Sequence, residues 1–280
     1  MNLFEPGLYI VSTPIGNLDD ITLRSLEVLK KSDIILCEDT RRSLKLINHY
    51  KIKKKLVSYH KFNEQKELKK IIDHLEEGKI LSLISDAGTP TLSDPGSLLI
   101  KACIKKNIKI FPIPGPSSIT AAVSVSGFDD KFLFYGFLPK TENELIKILN
   151  NLKDLNFSLV FFVPGIKINF YLKFFKKHLF NRDIVIAREI TKIHETFYRE
   201  SIHEIKPFKT ALKGELPIVI SKIYHNNNVE LNEDIKIQAS EYLKKYSLKD
   251  VVELISKKEK ISKKKVYEVC LKIKNNEKNN

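Results

Sequence analysis

Five short apolar runs constrain this chain more than any other feature. They occupy residues 7–11, 33–37, 56–59, 80–84 and 108–113, and each ends in a polar loop. Between them lie segments of helical period. Leu23, Leu26 and Leu29 mark the first, and Leu44, Ile47 and Tyr50 the second. Leu68, Ile71, Ile72 and Leu75, closed by Gly78, mark the third, and the fourth follows Gly96. Regular strand–helix alternation predicts a mostly parallel sheet with helices on both faces. Parallel strands all point one way, so the loops at 12–18, 38–42, 60–64, 85–90 and 114–118 gather on one edge. Open α/β sheets bind their ligands at that edge.

The fourth loop, Ser85-Asp86-Ala87-Gly88-Thr89-Pro90, carries the densest set of turn and polar residues. Gly88 permits close backbone approach and a positive φ, Pro90 stiffens the loop, and Asp86 and Thr89 put polar atoms at its mouth. Such residues also make an ordinary strand-to-helix turn. The glycine spacing of a dinucleotide-binding loop and the Walker pattern are both absent, so the ligand need not carry a pyrophosphate.

After Gly127 the sequence turns aromatic. Strands are predicted at 132–137, 159–163, 184–187, 196–199 and 216–221, with helices through Leu145–Leu152 and 171–178. This is a second α/β unit, expected to be largely antiparallel. The tail differs again, with a polar stretch at 226–234 and two short helices joined by the basic run Lys263-Lys264-Lys265. No order is expected from Lys272 onward. The division is therefore 1–114, 115–225 and 226–280. The basic tail suits a helical nucleic-acid-binding appendage or a solvated tail packed on the body.

The balance of 48 Lys+Arg against 34 Asp+Glu gives a net charge of +14, which favours a polyanionic partner, most simply nucleic acid. Abundant Lys, Ile and Asn, with no Trp and one Met, would raise that charge through composition alone. Cys37, Cys103 and Cys270 are odd in number, widely spaced and without zinc-ligand spacing. The N-terminal residues show no signal-peptide pattern, and no apolar run approaches the ~20 residues of a membrane span. A cytoplasmic location is expected.

The motifs occur in a recognisable order. They are residues 8–18 followed by Asp20-Ile21-Thr22, then Glu38-Asp39-Thr40-Arg41, His60 with Asn63-Glu64, 85–90, Asp94-Pro95-Gly96 and Pro114-Gly115-Pro116-Ser117. In the second half come Gly136-Phe137-Leu138-Pro139, Ala187-Arg188-Glu189 with Thr191-Lys192, Glu195-Thr196 and Lys213-Gly214-Glu215. This ordered set resembles the tetrapyrrole-methylase superfamily, and within it the bacterial cytidine 2′-O-methyltransferases of small-subunit (16S) ribosomal RNA. The resemblance implies two α/β domains with the donor site in the cleft between them and a short C-terminal helical extension. It also implies S-adenosylmethionine (SAM) as methyl donor, no metal, a homodimer, and ribosomal RNA as substrate in an assembled 30S particle. One segment departs from the family. Where an acidic residue followed by His-Arg is usual, this chain has Val163-Pro164-Gly165-Ile166-Lys167.

On this resemblance Ile15, Asp86, Gly88, Thr89, Ser118 and Ile119 are expected to hold the donor, with Val163 and Leu212 on the adenine side. Asp86 either accepts a hydrogen bond from the donor or fixes its own loop. A ribose hydroxyl is a weak acid, so a positioned base aids transfer. Glu38, His60, Glu189 and Lys192 are the candidates, with Asp39, Glu64 and His194 nearby, and the sequence does not choose among them. Arg41, Arg188 and Lys264 are expected to meet RNA phosphates. An ion pair of Arg188 with Glu189 is the structural alternative. Two other functions stay open at this point: carbon methylation of a tetrapyrrole precursor, and non-catalytic RNA binding.

Overall fold

The computed structural model describes residues 4–128, 131–223, 233–259 and 263–276. The side chains of 233–234, 264–265 and 275–276 fall outside that description. The chain forms two compact units, 1–223 and 224–280.

The first unit contains two sheets. The first is built from β1 (Gly7–Val11), β2 (Ile34–Cys37), β3 (Lys55–Ser58), β4 (Ile80–Leu83) and β5 (Ile110–Ile113), in the order β3-β2-β4-β1-β5. Every pairing is parallel. The connecting helices are α1 (Leu23–Lys31), α2 (Thr40–His49), α3 (Glu64–Glu76) and α4 (Ser97–Lys105). The central strands are buried on both faces, with alternate residues feeding separate cores. Ile34 and Leu36 join Leu8, Leu81 and Leu83 on one side; Ile35 and Cys37 join Tyr9 and Val11 on the other. β5 begins two residues later than the sequence suggests. The Ile108 N–H closes the end of α4 on the Cys103 carbonyl at 2.9 Å, after Asn107 turns at φ 55°.

The second sheet follows α5 (Ser118–Ser124). It contains β6 (Phe132–Phe137), β7 (Ser158–Pro164), β8 (Asp183–Arg188), β9 (Thr196–Ser201) and β10 (Glu215–Ile220), in the order β6-β7-β10-β8-β9. Three pairings are antiparallel, but β6 and β7 run parallel. The helix α6 (Glu142–Leu152) crosses between them, and a strand–helix–strand crossover returns the chain in the same direction. A further helix, α7 (Ile168–His178), links β7 to β8.

Arg182 is the largest of the fully buried side chains. Its guanidinium donates to the carbonyls of Phe157 (3.0 Å), Ser221 (2.9 Å), Lys153 (2.8 Å), Leu155 (2.6 Å) and Leu152 (3.4 Å). It closes the open carbonyls after α6 and ties them to the strand ends. Burial lowers its pKa to about 10, so it stays charged at neutral pH.

The second unit has three helices, α8 (Glu233–Leu243), α9 (Leu248–Glu259) and α10 (Lys263–Asn276), around Ala239, Val251, Ile255, Val266 and Cys270. The two-helix expectation missed α8. Its Ile235, Ala239, Tyr242 and Leu243 recur at helical spacing and join the shared core. Order also persists past Lys272 to Asn276, because Ile273 packs on that core. The polar linker at 226–232 lies outside the described residues. No helix among the described residues is long and apolar enough to cross a membrane.

Candidate active site

Three of the polar loops at the carboxyl edge of the first sheet are tied together by hydrogen bonds. Thr13 and Gly88 exchange backbone N–H···O bonds of 2.9 Å, joining the loops after β1 and β4. The Thr13 hydroxyl donates to the Ser85 carbonyl at 3.1 Å. Thr89 shares a 2.9 Å hydrogen bond with Ser12 and donates to the Pro116 carbonyl at 3.2 Å, adding the loop after β5. Gly88 sits at φ 80°, a conformation that suits glycine. Asp86 faces a fourth loop. It accepts from the Asp39 N–H at 3.2 Å and from Arg42 at 3.0 Å, so it anchors the start of α2.

Glycines permit close approaches both between the halves and within the second one. A Cβ on Gly16 would lie 2.7 Å from the Ile190 carbonyl and 2.6 Å from Lys192 Cγ. Only a bare Cα lets the β1 loop reach the β8–β9 loop, where the Asn17 N–H donates to Thr191 Oγ1 at 2.9 Å. A Cβ on Gly165 would stand 2.6 Å from the Leu212 carbonyl, and the Gly165 N–H bonds the Gly214 carbonyl at 2.8 Å. A register shift in β6 at Gly136 (φ 90°) brings that strand against Ser93.

Between the halves lies a cavity of about 570 Å³. Ile15, Ile119, Phe137, Phe162 and Ile190 give it apolar walls. Thr89, Ser93 and Ser118 add hydroxyls, and Asp94, Glu189 and Glu215 carboxylates. Arg42 and Lys192 are its cations, already paired with Asp86 (3.0 Å) and Glu189 (3.1 Å) respectively.

Carboxylates crowd around Asp94. Burial raises the Asp94 pKa to about 6, and Glu38, Asp86 and Glu215 push it further the same way. Glu38 is also raised, first by burial and then by Asp86, with His60 and Arg42 opposing. Asp94 protonates more readily folded than unfolded, where its pKa is about 3.9. Its stabilising contribution is therefore full below about pH 4 and lost as pH rises through 6. The variant Asp94→Asn is expected to gain on the order of 2 kcal/mol over the parent at pH 7.5 and nothing at pH 4. Thermal melts at the two pH values measure this; equal gains at both would remove the acidic cluster as its cause.

The structure places Ile15, Gly88, Thr89, Ser118, Ile119, Glu189 and Lys192 on the cavity wall. Asp86, Glu38 and His60 are not among its lining residues. Asp86 is occupied with its neighbouring loop, and His60 holds its own loop, its N–H on Asn63 Oδ1 at 2.8 Å and its Nδ1 accepting from the Phe62 N–H. Val163 and Leu212 are not on the wall. Val163 shares a β7 face with Leu159 and Phe161 in the core, which turns Phe162 toward the cavity instead. Leu212 is buried in the same core, while Gly214 lines the cavity. Arg41 is exposed but clamps Asp39 through two bonds of 3.1 and 2.8 Å, holding that carboxyl down at about 2. Arg188 does not pair with Glu189, whose partner is Lys192; the Arg188 Nε is buried without a hydrogen-bond partner. The Lys264 side chain lies outside the described residues. Among the wall groups that sequence reasoning missed are Asp94, Arg42, Phe137, Phe162 and Glu215. Asp94 was legible in its Asp-Pro-Gly motif, whereas Phe162 required knowing which face of β7 turns inward.

Residues 7–206 match the family model for tetrapyrrole (corrin/porphyrin) methylases. The ribosomal RNA small subunit methyltransferase I of Rickettsia prowazekii is 42% identical over 272 residues, covering 95% of this chain and 97% of that protein. The Thermotoga maritima protein of the same name is 44% identical over 217 residues, covering 76% of this chain and 97% of its own. The chain belongs to this family. A solved uroporphyrin-III C-methyltransferase from Thermus thermophilus, complexed with S-adenyl homocysteine, shares the fold. Its TM-score is 0.55 at 14% identity, covering 77% of this chain and 97% of that one. Family membership accounts for the overall fold.

Proposed function

We propose that this methyltransferase transfers a methyl group from SAM to the ribose 2′-oxygen of a cytidine in small-subunit ribosomal RNA. Its relatives named for small-subunit ribosomal RNA methylation support the substrate class. The cavity is the observation that carries the donor. Its volume lies in the range of small-molecule sites. Its apolar walls suit an adenine, and its uncompensated carboxylates suit the positive sulfonium. SAM supplies an electrophilic methyl carbon; the chain supplies position and a place for a proton. Ile15, Gly88, Thr89, Ser118 and Ile119 would hold the donor.

Aligning oxygen, carbon and sulfur accounts for much of such a rate. The 2′-hydroxyl proton needs an acceptor of suitable basicity. Asp94, on the wall and titrating near 6, is ionised at neutral pH yet basic for a carboxyl. Glu38 acts through Asp94, whose pKa it raises; His60 in turn opposes the rise at Glu38. Glu189 and Lys192 form a neutral pair that orients the acceptor. Arg41, Arg188 and Lys264 remain proposed RNA contacts. We also place the reaction on an assembled 30S particle, carried out by a homodimer. The open edge of β6, where Phe132 and Tyr135 are half-exposed, is offered to a second copy.

Incubation with radiolabelled SAM and unmodified 30S particles tests the function. Label is expected in one alkali-resistant dinucleotide containing a cytidine. Label on a base, or none in RNA, would overturn the reading. Light scattering tests the dimer, with twice 32.3 kDa expected.

A further inference from the structure

A second hollow, of about 640 Å³, shares Glu189 and Lys192 with the donor cavity. Both halves build it. Asn17 and Leu18 follow β1, His49 ends α2, and Ile193 and His194 belong to the β8–β9 loop. We propose that this hollow receives the base of the nucleotide whose ribose is methylated, with the Glu189–Lys192 pair forming the partition between base and methyl donor. The inference rests on the function proposed above and adds the subsite that selects the acceptor.

The chemistry of the walls fits a neutral, planar heterocycle. Ile193 is 97% exposed, the most exposed large apolar side chain among the described residues, and with Leu18 it offers a face to lie against. Asn17 Oδ1 accepts from the Asp19 N–H at 3.1 Å, which leaves the amide NH₂ as a donor. The His49 and His194 rings add nitrogens that donate or accept. RNA-reading proteins take splayed bases in this way, an apolar surface against the ring and hydrogen bonds on its edge. A phosphate fits worse. Asp19 and Glu189 stand in the same wall, and Lys192 is already neutralised by Glu189.

The backbone points the same way. Glu189 and Thr191 sit at φ 53° and 64°, unfavourable for both residues. The contact with Gly16 and the hydrogen bond from Asn17 hold them there. Strain maintained in one loop, at the wall common to two hollows, marks a place where position matters.

The test uses unmodified small ribosomal subunits with the native protein and with the exposed variants His49→Ala, Ile193→Ser and His194→Ala, singly and combined. A second substrate carries uridine at the acceptor position. The combined variant is expected to bind SAM as the native protein does, by calorimetry. Its KM for the particle is expected to rise about tenfold or more, and its preference for cytidine over uridine to fall toward unity. Unchanged KM and preference in the combined variant would overturn the proposal, as would a native protein indifferent to the base. Loss of SAM binding in the combined variant would also overturn it, since the hollow would then serve the donor. A native protein that labels no RNA would bring down the parent function itself, a result visible before any variant is made.

Discussion

Replacing Gly16 with alanine is expected to reduce methyl transfer about a hundredfold while leaving the protein folded. The added Cβ meets the Ile190 carbonyl at 2.7 Å and Thr191 Oγ1 at 2.7 Å. The flexible Lys192 chain can swing aside, but the carbonyl belongs to a loop with two residues already at positive φ. The β1 loop must therefore retreat, and Ile15 with it. Ile15 faces Ile190 and Glu189 across the donor cavity, so the walls part by a fraction of an ångström or more. Misplacement on that scale costs a transfer reaction dearly, because alignment is what the site provides. Calorimetry should show weaker SAM binding with only a small change in melting temperature. Native affinity and native rate in Gly16→Ala would mean the contact between the two loops does not shape the site.

The second large effect concerns stability. Arg182→Met is expected to destabilise the first unit by about 3–5 kcal/mol, since each buried carbonyl left without a donor costs about 1–3 kcal/mol. Five carbonyls share this one guanidinium, and methionine replaces its volume but none of its donors. Relaxation and entry of water keep the total below the sum. Denaturant midpoints measure the loss, and Arg182→Lys, with three donors, should recover part of it. If Met and Lys were equally tolerated, packing and not hydrogen bonding would be the role of Arg182.

These two positions show how unevenly the sequence speaks. The first sheet was legible throughout, because strand–helix alternation leaves a buried parallel sheet little choice of arrangement. Its loops could be assigned to one edge for the same reason. The contributions of the second half were harder to see. Whether Val163 or Phe162 faces the cavity depends on a strand register set by the partner β10, and no local pattern encodes it. Arg182 reads as one more basic residue in a lysine-rich chain until its carbonyl cage is seen. Asp86 could be read as ligand or loop residue, and its bonds to the distant Arg42 and to the Asp39 N–H show the loop role only once the chain is folded. The resemblance supplied the family, but that Glu38 and His60 do not line the cavity needed coordinates.

The central position of β10 has a consequence for biosynthesis. This strand enters the second sheet last, between β7 and β8, and brings Glu215 and Pro217 to the cavity. Chain growth is vectorial, and residues emerge from the ribosome in order. A nascent chain ending before Glu215 therefore lacks one flank of the pocket and has an open gap between two hydrogen-bonding edges. Donor affinity should consequently arise late and abruptly during translation, after more than two hundred residues have been made. Until then the half-built sheet depends on the speed of synthesis, or on a chaperone, to keep those edges from a neighbour.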